Sequence, residues 1–165
     1  MSKVGRVLVL LFVLFALVAC DQGTKSVAQN YLSTTEPILL LDGMVRLQLM
    51  ENPGAFLSLG ANLPPAAHYW IFTILVGAIL VGVTVYLVRE THRISTTTLV
   101  AIALLLGGGI GNLIDRLVNE GRVIDFMNVG IGGLRTGVFN VADMAIMAGV
   151  GLIMLSALRS ERTAT

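Results

Sequence analysis

Long runs without a charge recur along the chain. Residues 7–20 lie between Arg6 and Asp21 with no Asp, Glu, Lys or Arg. Residues 52–88 are uncharged and solidly apolar from Tyr69 onward, residues 94–114 are uncharged between Arg93 and Asp115, and residues 136–158 carry only Asp143. The hydrocarbon core of a bilayer is about 30 Å thick, so a helix rising about 1.5 Å per residue needs roughly 20 apolar residues to cross it. The pattern predicts an all-α membrane protein whose four transmembrane helices run over residues 7–28, 69–88, 95–114 and 138–158, with the first continuing past Asp21 to reach that length. Between the first two helices the period changes. Ile38–Leu41, Asp42-Gly43 and Met44–Glu51 read as two strands around an Asp-Gly turn, with Val45, Leu47 and Leu49 alternating against Arg46 and Gln48. A small extracytoplasmic β-hairpin or sheet, resting its apolar face on the membrane surface, is expected there. Pro64-Pro65 closes this segment and starts the entry to the second helix.

Composition sharpens this picture. Of 165 residues, 55% are hydrophobic and 13% charged, about half the charge of a soluble domain. Disorder, nucleic-acid binding and a disulfide-stapled secreted fold are excluded together, since the net charge is +1 and Cys20 is the only cysteine. Orientation follows from Lys and Arg beside the spans. Lys3, Arg6, Arg89, Arg93, Arg159 and Arg162 crowd the short pieces on one side. Lys25, Arg46, Arg116, Arg122 and Arg135 are spread over far longer connections on the other. Both termini are therefore expected in the cytoplasm, in one membrane domain over residues 1–165.

The first helix carries a second pattern. Lys3 and Arg6, an apolar run and Leu17-Val18-Ala19-Cys20 have the form of a lipoprotein signal peptide. Three further spans argue against that reading, and Cys20 is expected to be a small buried side chain. Just beyond it, Asp21 and Lys25 stand four apart on one helix face.

An ionisable group at membrane depth costs several kcal/mol and is by default a functional hypothesis. The third helix ends Gly107-Gly108-Gly109-Ile110-Gly111-Asn112-Leu113-Ile114-Asp115-Arg116. Its glycines suit close helix packing. Asn112, Asp115 and Arg116 share a face, either as a buried ion pair with an amide partner or as part of a site. Asp125 follows, flanked by apolar residues, and after the glycine-rich turn 130–137 Asn140 is placed to cap the fourth helix with Asp143 three residues on. The connection is short enough to bring Asp125 and Asp143 together at the membrane boundary. Two carboxylates in a low-dielectric site share one proton, so one can activate water while the other protonates a leaving amide. Alternatives are sparse. His68 and His92 fall near opposite ends of the second helix, and no metal-ligand spacing is present. A small transporter using Asp115, Arg116 and Asp143 as a relay, or a scaffold packed through its glycines, remain the other readings of these residues.

Five elements stand in order along the chain: Asp21-Gln22-Gly23-Thr24-Lys25, Asn52-Pro53-Gly54-Ala55-Phe56-Leu57-Ser58, Gly108 to Arg116, Val123-Ile124-Asp125-Phe126, and Phe139-Asn140-Val141-Ala142-Asp143. Together, over essentially the whole chain, they resemble the lipoprotein signal peptidase, or signal peptidase II, family, whose order they share. The resemblance implies an intramembrane aspartic endopeptidase of the bacterial inner membrane, with its active site toward the extracytoplasmic side and Asp125 and Asp143 as its dyad. It implies prolipoprotein substrates cut before a diacylglyceryl-modified cysteine, with membrane lipid as surroundings, no cofactor, no metal and a monomer. Carried over by motif, Asn52, Gly54, Asn112, Arg116 and Asn140 line or brace the site, Asp21 and Lys25 support it from the first helix, and Asp115 is structural. One departure stands out. Phe56 occupies a position where the family usually has alanine, and Leu57 one where it has phenylalanine.

Overall fold

The structure is a computed structural model that describes residues 2–54, 60 and 62–164, with side chains described to residue 159. Positions 56 and 57, where the sequence departs from the family pattern, lie outside the described residues. Among the described residues, four helices are long and apolar enough to cross a membrane. They are α1 (Lys3–Tyr31), α2 (Pro65–Glu90), α3 (Thr96–Val118) and α4 (Val141–Ala164). Each reaches beyond the uncharged run that predicted it. Helix α1 extends past Asp21 for ten more residues, because Asp21 and Lys25 turn inward and pair instead of ending the helix. Helix α2 starts at Pro65, where a proline in the first turn removes no helical hydrogen bond, and carries a π-helical segment over Trp70–Leu75.

Helix α3 is the centre of the bundle, in contact with α1, α2 and α4. Away from the sheet, Leu10 of α1, Leu87 of α2 and Leu99, Ala103 and Leu106 of α3 form a buried apolar cluster. The outer faces are apolar as well: Phe12 and Phe15 of α1 are 72% and 76% exposed, as suits helices whose solvent is lipid. Where α3 and α4 cross, only glycine fits. A Cβ on Gly108 would run into the carbonyl oxygen of Ala142, and one on Gly149 would lie 2.7 Å from that of Ala101.

Cys20 is exposed, not buried as expected. The buried residues of this part of α1 are Asp21, Lys25 and Ala28, one face of the helix. Cys20 lies about 100° around the axis from Asp21 and so faces outward.

The sheet is larger than the hairpin the sequence predicted. Strands β1 (Ile38–Leu40) and β2 (Val45–Asn52) do form that hairpin, with Leu41, Asp42 and Gly43 at positive φ in the turn. It is joined by β3 (Val123–Ile131) and β4 (Leu134–Arg135) from the connection between α3 and α4, in antiparallel order β1-β2-β3-β4. The glycine-rich segment after Asn128 is thus a second hairpin. The sequence hid it because β3 is buried on both faces over Val123–Phe126 and so does not alternate.

Pairing of β2 with β3 contains one irregularity. Leu47 opposes Met127 and Met50 opposes Asp125, so Gln48 and Leu49 together face Phe126. Directly paired residues point to the same face of a sheet. The bulge therefore places Leu47, Met50 and Asn52 on the face of Val123, Asp125 and Met127. Strict alternation would have put Glu51 there. Instead Glu51 is exposed and pairs with Arg122 at 2.6 Å, while Asn52 turns in.

Candidate functional site

The polar residues singled out from the sequence converge where the sheet meets the ends of α1, α3 and α4. Asp125, on the buried stretch of β3, is 1% exposed. Its Oδ2 accepts from Asn52 Nδ2 at 2.9 Å and its Oδ1 from Asn140 Nδ2 at 2.7 Å. Asp143 lies in the first turn of α4. Its Oδ1 accepts from Asn112 Nδ2 at 3.0 Å and its Oδ2 from the Asn140 backbone N–H at 3.2 Å. The Asp143 N–H donates in return to Asn140 Oδ1 at 2.9 Å. Asn140 thus caps α4 as expected from the sequence, and Asp143 returns the bond to make the cap reciprocal. Asn140 Nδ2 also donates to Asn112 Oδ1 at 3.0 Å, so two amides join the two acids. Each acid therefore has private partners, which the sequence did not reveal.

Behind this pair lies a second cluster. Lys25 Nζ sits 2.7 Å from Asp21 Oδ2 and 2.8 Å from Asp115 Oδ2, with all three side chains buried. Asp21 Oδ1 accepts from the N–H of Ala142, and Asp115 Oδ2 from that of Ile124. Those are the residues immediately before Asp143 and Asp125. The cluster thus holds the backbone of both acids. Gln22, which the sequence reading passed over, donates to Asp21 Oδ2 at 3.2 Å and to Asp115 Oδ1 at 2.9 Å. Its place beside Asp21 in the first motif was the available signal.

The buried partner of Asp115 is Lys25 and not Arg116. Among the described residues Arg116 makes no ion pair. It donates through Nη2 to the Gly54 carbonyl at 2.8 Å and through Nη1 to that of Asn112 at 3.3 Å, and lies over the Phe72 ring at 5.8 Å. Gly54 is fixed in turn by its N–H to Asn52 Oδ1 at 2.9 Å. A cavity of about 340 Å³ opens beside Asp143, with Asn112 and Arg116 at its polar end and Phe72, Val76, Ile146 and Met147 along its apolar side.

Burial pushes the Asp125 carboxyl up to about 7, and the nearby Asp143 adds to this while the donors Asn52 and Asn140 and the charge of Lys25 oppose it. The folded protein keeps this proton to higher pH than the unfolded chain does. Stability from Asp125 is therefore full in acid and is lost as pH rises toward 7, by at most about 1.4 kcal/mol per pH unit, levelling off above. The thermal midpoint in detergent is expected to fall more between pH 5 and 8 for the wild type than for Asp125→Asn. Equal falls would show that Asp125 is not the source.

The chain resembles known proteins over nearly all of its length. A family model described as Signal peptidase (SPase) II matches residues 13–159. The lipoprotein signal peptidase of Halalkalibacterium halodurans is 35% identical over 154 residues, covering 92% of this chain and 93% of the relative. That of Leifsonia xyli subsp. xyli is 37% identical over 164 residues, covering 96% and 70%. A bacterial membrane enzyme solved by the in meso method at 2.3 Å resolution superposes with a TM-score of 0.80 at 25% identity, over 95% of this chain and 92% of the other. A second such enzyme, at 1.9 Å resolution, gives 0.78 at 27% identity over 91% and 92%. With matches of this extent in both sequence and fold, the chain belongs to the signal peptidase II family.

Proposed function

We propose that the chain is an intramembrane aspartic endopeptidase that removes signal peptides from prolipoproteins, cutting before a diacylglyceryl-modified cysteine with Asp125 and Asp143 as its catalytic pair. The observation that carries this reading is the meeting of those two carboxylates, from β3 and α4, through Asn140 and Asn112 beside an apolar cavity. Family membership supports signal-peptide removal as the task.

In this mechanism the pair holds one proton, assigned to the more deeply buried Asp125, whose carboxyl burial pushes up to about 7. Asp143, at the cavity edge, takes a proton from water as the oxygen attacks the scissile carbonyl. The protonated partner then gives its proton to the leaving amide nitrogen as the C–N bond breaks. Asn52 and Asn140 orient Asp125, while Asn112 orients Asp143. Arg116 and Gly54 brace the cavity edge, and Asp21 and Lys25 support the site from α1. Two acyl chains on the substrate cysteine hold the cleavage point at the membrane boundary. Such a site suits the extracytoplasmic face, with both termini in the cytoplasm, and a monomer suffices because every group named comes from one chain.

Purified protein in detergent is expected to cut a diacylglyceryl-modified prolipoprotein just before the lipidated cysteine, and its unlipidated form at least about tenfold more slowly. Mass spectrometry of the products locates the cut. Folded protein that leaves the lipidated substrate intact, or cuts elsewhere, would overturn the proposal.

A further inference from the structure

Three asparagines donate to the acids, and each can do so only if its side-chain oxygen is turned the other way. For Asn52 and Asn140 that oxygen is pinned by a backbone N–H, of Gly54 and Asp143 respectively. A backbone donor cannot reverse. Asn112 is different, because no backbone N–H holds its Oδ1: it accepts from Lys25 Nζ at 3.0 Å and from Asn140 Nδ2 at 3.0 Å, and the two hydrogens of that Asn140 NH2 are already shared with Asp125 Oδ1 and the Ile124 carbonyl, which leaves Lys25 as the dedicated donor. An ammonium has three N–H donors and no acceptor. Here the three acceptors are Asp21, Asp115 and Asn112, and the side chain is 3% exposed, so water does not compete.

We infer that Lys25 is a positioning residue that fixes the orientation of the Asn112 amide, and so determines that a donor and not an acceptor faces Asp143. The inference rests on the reading of Asp125 and Asp143 as the catalytic pair. With the amide reversed, its oxygen would oppose a carboxylate oxygen of Asp143, and its NH2 would oppose the ammonium. That arrangement is tolerable only when Asp143 carries a proton, which removes the base from the reaction. The other charged groups around Asn112 do not set its orientation. Asp21 from α1 and Asp115 from α3 engage Lys25, and Asp125 from β3 engages Asn52 and Asn140. Arg116 reaches only the Asn112 backbone carbonyl, and Gln22 clamps the two acids without touching Asn112.

The test is the pH dependence of kcat on a lipidated prolipoprotein for Lys25→Met combined with Asp21→Asn. This combination removes the pin while keeping the cluster's net charge. The acid limb of the profile is expected to move up by about one pH unit, lowering kcat about tenfold at pH below it, with KM changed less than about twofold. Lys25→Arg, which restores a cationic donor, should return the limb toward its wild-type position. A folded double variant with the wild-type profile would overturn the inference.

A measurement on the wild type covers the case in which the double variant does not fold. In protein labelled with 15N-asparagine, the Asn112 side-chain NH2 resonance should move as the pair titrates and lose that response in Asp143→Asn. An NH2 signal indifferent to both would show that the amide faces the other way. Retained activity in Asp125→Asn or Asp143→Asn would instead remove the catalytic reading and leave the amide geometry to the resonance measurement.

Discussion

Replacing either Asp125 or Asp143 by asparagine is expected to lower kcat by about 10³-fold or more, with the fold retained. Asparagine has nearly the same shape and keeps one of the two acceptor oxygens, so each variant retains one of its two donors, Asn52 or Asn140 at position 125 and Asn112 or the Asn140 N–H at position 143, but it can neither carry the shared proton nor accept one from water. In Asp125→Asn the change also removes a buried ionisable group that the fold disfavours in its charged form. The double variant should be no slower than the worse single one, because the two acids act as a unit. Wild-type rates should follow a bell in pH whose two apparent values belong to the pair, with the alkaline fall tied to loss of the proton held to about 7. Turnover near the wild-type level in either folded variant would make that acid structural. A rate flat from acid to alkaline pH would rule out a shared proton.

The second large effect is expected at the glycines of α3. In Gly111→Ala the new methyl would stand 2.5 Å from Asp21 Oδ2, displacing the carboxylate that holds both Lys25 and the Ala142 N–H. In Gly108→Ala it meets the Ala142 carbonyl, a backbone atom that gives way only if α4 itself shifts. Both substitutions move the residue preceding Asp143. Overpacking of this kind typically costs about 1–3 kcal/mol, and activity should fall further than stability because Asp143 loses its register against Asn112. Gly151, where an added methyl would meet no atom within 4 Å, provides the contrast: Gly151→Ala should retain the wild-type thermal midpoint and turnover. If Gly108→Ala behaved like Gly151→Ala, α3 and α4 would not approach as closely as described.

Much of the architecture was legible because the bilayer demands long apolar runs, and only a handful of positions interrupt them. Asp21 and Lys25 were readable as one face of a helix from their spacing alone, and Asn140 with Asp143 as a cap for the same reason. Cys20 misled because hydropathy does not say which side of a lipid-exposed helix faces inward. A cysteine is as compatible with lipid as with a protein core. Asp115 and Arg116, adjacent in sequence on one helix, looked like partners, yet the tertiary structure brings Lys25 from α1 to Asp115 and leaves Arg116 to backbone carbonyls.

What is local could be read along the chain: four membrane-length helices, the first hairpin, the ion-pair spacing in α1, the cap of α4 and the two acids proposed as the catalytic pair. The second hairpin, the bulge opposite Phe126 and the amide connections between those acids exist only in the folded molecule. Register between strands depends on hydrogen bonds between distant segments, and Asn52 and Asp125 are 73 residues apart. One extra residue in β2 exchanges Glu51 for Asn52 beside Asp125, a donor in place of another negative charge. No local pattern of apolar and polar positions encodes that choice, because it exists only once two strands are laid side by side.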